Sequence, residues 1–520
     1  MSKSTSGRCI NIGNCGLATS LAIIEVPEGA EFNCSECGKP LVASKAVPSN
    51  KNNSAFYGLI GLGTVAALSI LLLVFNSLSK SKSPSSANLS SPSFGTGSAP
   101  AQVPGSNFIL RLEGSNTLGS KLTPALVEAY FKQKGCRDVA QQKIEIELIH
   151  VTCNLDGNKY LASISFKGSG TAFSGLKYAT ADVGLSSRRI KPAEVAGLSA
   201  LGDMTSAANE HVVALDGVAI IVNPSNQLPR LSIPNIRSIF SGSIKEFSQV
   251  GGPSTPISLY RRDDKSGTFD SFTQLAMSGS NVAATAKPFE DSGQLSSAVV
   301  SDRNAIGFVG HTLIGSARAV AIGAPGQQAL LPNRFTIQTE DYPLSRRLYF
   351  YTISEKANNE VTQFINFVTS QSGQAVVESL NFVPLSIVAE RSALPSGSSS
   401  EYQAVTNRAE RLSVNFRFNS GSNSLDNRSI ADLDRVTEYL IRTSTKPERL
   451  VLIGFADNTG NPASNVVLSK ARASAVAAAL KVRGITPGLI TGFGAENPVA
   501  SNTSPEGQQK NRRVEVWVTR

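Results

Sequence analysis

The stretch 108–135, FILRLEGSNTLGSKLTPALVEAYFKQKG, decides how the largest part of this chain is read. FILRLEG predicts a strand. Gly114-Ser115-Asn116-Thr117 then turns the chain, and LTPALVEAYFKQKG carries its apolar residues at helical spacing. Strand, Gly-Ser turn and amphipathic helix together make half of a βαβ unit. Downstream, IEIELIHV (144–151) predicts another strand, and KGSGTAFSGLKYATADVGLSS (167–187) repeats the turn, the helix and a strand. Alternation of this kind predicts an α/β fold with ligands at the carboxyl ends of its strands.

Three turns share one chemistry: Gly114-Ser115-Asn116-Thr117, Gly168-Ser169-Gly170-Thr171 and Lys265-Ser266-Gly267-Thr268. Glycine lets backbone N–H groups converge, hydroxyls add donors, and a following helix N-terminus favours an anion. One such turn is common. Three of them, with Arg262 just before the third, fit an oxyanion.

At this point a resemblance becomes specific. GSNTLG (114–119), KGSGT (167–171), ADVGLSSR (181–188), DGVAIIVNP (216–224), IRSIFSGSIKEF (236–247), YRRDDKSGTF (260–269), NAIGFVG (304–310), YPLSRRLYFY (342–351) and SGQAVVESLNFVPL (372–385) occur in this order. Residues 107–390 resemble the periplasmic phosphate-binding proteins of phosphate transporters. The resemblance implies a two-lobed type II periplasmic-binding-protein fold closing on its ligand. It also implies anion contacts at Thr117 and Leu118 (backbone), Ser169, Arg262, Ser266, Gly267 and Thr268. High-affinity members place a proton-accepting Asp where this chain has Ser187, and Asp182, five residues earlier, corresponds to a structural Asp. A serine neither rewards a protonated oxyanion nor repels an ionised one strongly, so the expected ligand is phosphate or a similar anion.

Residues 391–404, around SALPSGSSSEY, read as a linker. Beyond it RLSVNFRF predicts a strand, RSIADLDRVTEYLIRT a helix, LVLIGFAD a strand, LSKARASAVAAALKVRG a helix and RRVEVWV a final strand. The block GFADNTG (454–460), LSKARASAVAAAL (468–480), GFGAENPVASN (492–502) and EGQQKNRRVEVWV (506–518) resembles the OmpA-like peptidoglycan-binding domain, here 405–520, an α/β sandwich. That family holds the diaminopimelate of the wall peptide with an Asp and an Arg, which map to Asp457 and Arg472. A carboxylate for the ammonium and a guanidinium for the carboxylate suit a zwitterionic end. Arg512 and Arg513 rank as supporting residues. From the residues alone, Asp457 would be a turn residue and Arg472 a solvated helix face.

The N-terminal part differs in kind. FYGLIGLGTVAALSILLLVF (56–75) is twenty residues without a charge, the length that crosses a hydrocarbon core about 30 Å thick. A buried helix is the alternative, and a 55-residue hydrophilic segment ahead of it argues against a signal peptide. Residues 76–106 are rich in Ser, Pro and Gly and read as a flexible linker. Before the span lie Cys9, Cys15, Cys34 and Cys37, in the pattern C-x5-C-x18-C-x2-C. Residues 1–55 resemble a zinc ribbon with one structural zinc, a redox pair or an unstructured tail being the alternatives. After the span come Cys136 and Cys153, whose placement allows a disulfide in an oxidising compartment. With Lys39, Lys45 and Lys51 before the span and Lys80 and Lys82 after it, this division puts the N-terminus in the cytoplasm and the later domains in the periplasm of an inner-membrane, single-pass protein.

The formal charge of +10 favours anionic partners, but the basic residues are scattered and no nucleic acid is expected. His150, His211 and His311 are far apart in sequence, which disfavours a histidine triad or multi-histidine metal centre. With no catalytic constellation, the reading is a non-enzymatic envelope adaptor or sensor, contacting the membrane, peptidoglycan and a permease or envelope protein. The alternatives are an accessory substrate-binding component of a phosphate transporter and a phosphoester hydrolase.

Overall fold

The computed structural model describes residues 4–9, 24–27, 33–34, 41–43 and 106–520, apart from 265, 324–326, 392–393, 396 and 419–423. The chain divides into two units, Met1–Ala101 and Gln102–Arg520. In the first, β1 (Ser4–Cys9) lies between β2 (Ile24–Pro27) and β3 (Leu41–Ala43), both antiparallel to it. Val26, Cys34 and Leu41 are buried. Cys15, Cys37, the apolar stretch 56–75 and linker residues 76–105 lie outside the described residues. Among the described residues no helix is long and apolar enough to cross a membrane.

The second unit is built on one long mixed sheet. Its main strands are β4 (Ser106–Gly114), β5 (Arg137–Glu145), β6 (Leu148–Leu155), β7 (Asn158–Ser165), β8 (Val183–Ser186), β9 (Glu210–Val222), β10 (Ser258–Arg262), β11 (Lys287–Phe289), β12 (Ala305–Gly310) and β13 (Ser345–Tyr351), and the short strand Arg318–Ala319 also pairs with β9. They run in the order β11-β10-β12-β9-β13-β8-β4-β7-β6-β5. Strand β9 is the spine: Glu210–Gly217 pairs with β13, and Val218–Val222 pairs with β12. Arg346 of β13 stands directly across from Asp216 of β9. Two separate cores pack around this crossing, where β9 passes from β13 to β12. One packs Leu110, Leu112, Ile164, Val183 and Leu185 under Leu122, Leu126 and Phe131 of the helix Leu122–Gln133. The other gathers Ile220, Val222, Ile236, Phe240, Phe272 and Phe308.

The stretch 144–151 departs from expectation. It does not form one strand: the chain turns at Ile146-Glu147, and β5, β6 and β7 make an antiparallel meander. Ile146 at this turn is 77% exposed, so the alternation that reads as one strand is not driven by burial on a single face. Cys136 and Cys153 form a disulfide across the start of the meander. A bridge closing a loop of 17 residues contributes about 3 kcal/mol in the chain-entropy model.

The C-terminal sheet has five strands, β14 (Ala389–Glu390), β15 (Ala409–Arg417), β16 (Leu450–Gly454), β17 (Leu489–Gly492) and β18 (Arg513–Thr519), in the order β14-β15-β18-β16-β17. The helices Asn427–Arg442 and Pro462–Lys481 cover one face. Leu433, Val436, Leu440, Val476 and Leu480 meet Leu412, Val414, Phe416, Leu452 and Val516 there. Asp426 caps the first helix by accepting from the Ser429 N–H at 2.8 Å.

The expected linker 391–404 needs correction. Ser400–Thr406 is helical, and Tyr402 is buried against Phe455, Phe493 and Trp517, its hydroxyl donating to Glu515 at 3.0 Å. The strand β14 just before it already belongs to the C-terminal sheet. A buried ionic network joins this sheet to the corner that precedes β13. Asp341 accepts from Arg411 at 2.8 Å and from Asn415 at 2.8 Å, and pairs with Arg417 at 3.4 Å. Glu340 pairs with Arg347 at 2.5 Å, Arg417 at 3.3 Å and Arg428 at 3.2 Å, while Arg347 also reaches Asp426 at 2.8 Å. Burial pushes the carboxyls of Glu340 and Asp341 up, but the surrounding guanidinium groups outweigh it, and both sit below the ordinary carboxylate range.

Candidate functional site

Two sites are assembled, one at the crossing of the long sheet and one on the C-terminal domain.

At the first, the parallel strands β4, β7 and β8 end side by side. The N–H of Ser115 donates to Leu185 O at 2.8 Å, and that of Gly168 donates to Gly114 O at 2.8 Å. Gly114 sits at φ +147°, and a Cβ there would fall 2.0 Å from Leu185 O, so the close approach of turn and strand requires glycine. Ser169 opens the helix Ser169–Lys177, and its Oγ accepts from the Ser187 N–H at 3.1 Å and lies 3.1 Å from the Ser187 hydroxyl. Thr117 lies in the short helix Asn116–Gly119, where Leu118 is fully buried. Four of the expected residues, Thr117, Leu118, Ser169 and Ser187, thus lie at the carboxyl ends of β4, β7 and β8 or on the helices that follow.

The third turn arrives from the other side of the crossing. Ser266 caps the helix Gly267–Phe272 by accepting from the N–H groups of Thr268 at 3.2 Å and Phe269 at 3.4 Å. Gly267 presses on Thr117: a Cβ on it would fall 2.1 Å from Thr117 Oγ1. Arg262 is placed differently from its expected role. Its Nε donates to Phe289 O at 3.2 Å, Nη1 to Ser292 Oγ at 2.5 Å and Nη2 to Glu290 O at 2.6 Å. Burial lowers the pKa of its guanidinium, partly offset by Asp263 and Asp291.

Sequence reasoning missed Arg346 and Asp216. Arg346 Nη2 donates to Thr117 Oγ1 at 3.1 Å, to Gly267 O at 3.1 Å and to Asp216 at 3.0 Å, so one guanidinium touches turns from both sides. The signal was present. An Arg-Arg pair interrupts the otherwise apolar strand motif YPLSRRLYFY, and an Asp opens the apolar run DGVAIIVNP. Charges inside buried strands need partners.

On the C-terminal domain, Asp457 follows β16. Its Oδ1 accepts from the Thr459 N–H at 2.8 Å and from the Thr459 hydroxyl, and its Oδ2 accepts from Arg512 Nη1 at 2.8 Å. Burial raises its carboxyl, but Thr459 and Arg512 outweigh that and hold it below the usual range. Arg472, 7% exposed on the helix Pro462–Lys481, stands with its guanidinium 5.7 Å from the centre of the Phe418 ring. Its Nε and Nη1 are enclosed and have no partner among the described residues. Burial lowers its pKa, with Arg512 adding to the effect and Asp457 opposing it. Such a site can hold a carboxylate on Arg472 and an ammonium at Asp457. Arg513 does not join them: it is 1% exposed, pairs with Glu515 at 2.7 Å and stacks on Phe455.

Of the four N-terminal cysteines, Cys34 is buried and the Cys9 backbone lies in β1, while Cys15 and Cys37 are outside the described residues. No group of three or more metal-ligating side chains occurs among the described residues.

Comparison with known proteins agrees with this division. Residues 100–372 match the model of the PBP superfamily domain, and residues 417–512 match the OmpA family. The phosphate-binding protein PstS of Borreliella burgdorferi is 25% identical over 237 residues, 44% of this chain and 82% of that protein. PstS of Bacillus subtilis is 27% identical over 220 residues, 42% of this chain and 69% of that protein. A solved structure of a possible phosphate binding protein from Planctomyces limnophilus is 24% identical, covering 54% of this chain and 93% of that one with a TM-score of 0.43. The chain belongs to the PBP superfamily and carries a second, OmpA-family domain after it.

Proposed function

We propose that this protein is a non-enzymatic component of a Gram-negative envelope that binds a phosphate-like oxyanion in its two-lobed domain and attaches to peptidoglycan through its C-terminal domain. The binding residues would be Thr117, Leu118, Ser169, Ser187, Ser266, Gly267 and Thr268 for the anion, and Asp457 and Arg472 for the wall peptide. Relatives named as phosphate-binding proteins support the first half. The second half rests on one observation: the enclosed Nε and Nη1 of Arg472, without a partner among the described residues, near an ionised Asp457. A buried guanidinium left without an acceptor costs free energy, and the terminal carboxylate of diaminopimelate supplies one.

Residues 56–75 would span the inner membrane, with a zinc-binding segment in the cytoplasm and both later domains in the periplasm. The role of adaptor or sensor, in place of delivery to a permease, follows from Ser187, which offers a protonated phosphate no carboxylate. Peptidoglycan pull-down tests the anchor. Wild type should sediment with purified sacculi, and Asp457→Asn and Arg472→Ala should each lose most of that retention. Equal retention of all three proteins refutes the assignment.

A further inference from the structure

We propose that Arg346 is a direct contact for the bound tetrahedral oxyanion, phosphate or sulfate. This deepens the reading of the cleft as an oxyanion site and rests on it.

The Arg346 side chain is 5% exposed and lies on the crossing strand β13. Its Nε and Nη2 face Asp216 at 3.2 and 3.0 Å, and Nη2 also reaches Thr117 Oγ1 and Gly267 O. The remaining nitrogen, Nη1, is enclosed and has no partner among the described residues. It belongs to the guanidinium whose Nη2 already touches both turns. Buried donors are nearly always satisfied, and a charged one most of all. Arg262 has no such vacancy, since all three of its nitrogens already donate to Phe289, Ser292 and Glu290.

The other polar groups at the turns add donors. Thr117 Oγ1 accepts from Arg346 and so keeps its own proton to donate. Ser169 and Ser187 share one hydrogen bond, which leaves one hydroxyl proton free. Ser266 Oγ accepts two backbone N–H groups and likewise keeps its proton. The carboxylate beside them, Asp216, accepts from Arg346 on Oδ2 and from the Gly217 N–H at 2.8 Å on Oδ1. Asp264 pairs outward with Arg261 and is 75% exposed, while burial pushes the Asp270 carboxyl up and the charge of Arg346 opposes that. The hydroxyl and guanidinium protons together make a shell of donors for an oxyanion.

Isothermal titration of the full chain with sodium sulfate and sodium phosphate tests this. At about pH 8 both anions should bind wild type. The double variant Arg346→Gln/Asp216→Asn removes both charges together and leaves no buried charge uncompensated. It should lose about 10- to 100-fold for either anion, and Arg262→Gln should lose less. Arg346→Lys keeps a cation for Asp216 but offers one nitrogen in place of three, and should lose about tenfold; it carries the test if the double variant does not fold. Wild-type affinity in whichever of these variants folds overturns the role of Arg346. Wild type that binds neither anion refutes the oxyanion reading itself, a distinct result.

Discussion

Replacing Asp341 with alanine should loosen the C-terminal domain from the crossing of the long sheet. Asp341 is 3% exposed and serves Arg411, Asn415 and Arg417 at once. Removing one partner from a buried ion pair costs about 3–5 kcal/mol, because the other charge is left without compensation. Here the loss should fall near 3 kcal/mol, since Arg411 keeps Glu515 at 3.3 Å and Arg417 keeps Glu340 at 3.3 Å. The chain has a single tryptophan, Trp517, 1% exposed in the C-terminal domain with its Nε1 donating to Glu515 at 3.0 Å. Its fluorescence therefore follows the affected domain alone. With a urea dependence of about 2 kcal/mol per molar, the midpoint should fall by about 1.5 M. The sign with pH is fixed by the lowered carboxyls of Glu340 and Asp341. Their stabilisation is fully present above the ordinary carboxylate pKa of about 4 and disappears as pH falls through the lower folded values. Acid should accordingly destabilise wild type more steeply than Asp341→Ala. A midpoint within about 0.3 M of wild type, with an unchanged acid limb, refutes the reasoning.

Gly267→Ala would set a Cβ against Thr117, 2.1 Å from its Oγ1, so the turns on the two sides must separate. Titration should show anion affinity falling at least about tenfold, while the Trp517 unfolding midpoint stays within error because the C-terminal domain is untouched. For the N-terminal segment, elemental analysis of purified chain should find one zinc, and Cys34→Ser should release it. Zinc content unaffected by that substitution removes Cys34 from the proposed ligand set.

How far the sequence could be read depended on whether neighbours along the chain or across it set the structure. The turns at Gly114, Gly168 and Ser266 were legible because each is local, a strand followed by a small-residue turn and a helix. The meander of β5, β6 and β7 was not, since Ile144 and Ile146 alternate like a buried strand although both are exposed. The segment 391–404 misled by composition: its serines and glycine read as solvent-facing, but Tyr402 places its ring among Phe455, Phe493 and Trp517, which lie more than fifty residues away. Arg346 shows the same limit at the candidate site. Its significance comes from Thr117, Asp216 and Gly267, at separations of 229, 130 and 79 residues, and the sequence could offer only the oddity of paired arginines in an apolar strand. That oddity resolves in three dimensions because adjacent residues of a strand face opposite ways. Arg346 turns to Asp216, Thr117 and Gly267, while Arg347 turns to Glu340 and to Asp426 of the C-terminal domain. The strand that meets the Gly-Ser turns on one face is therefore held by the C-terminal domain on the other, and the two arginines serve different partners.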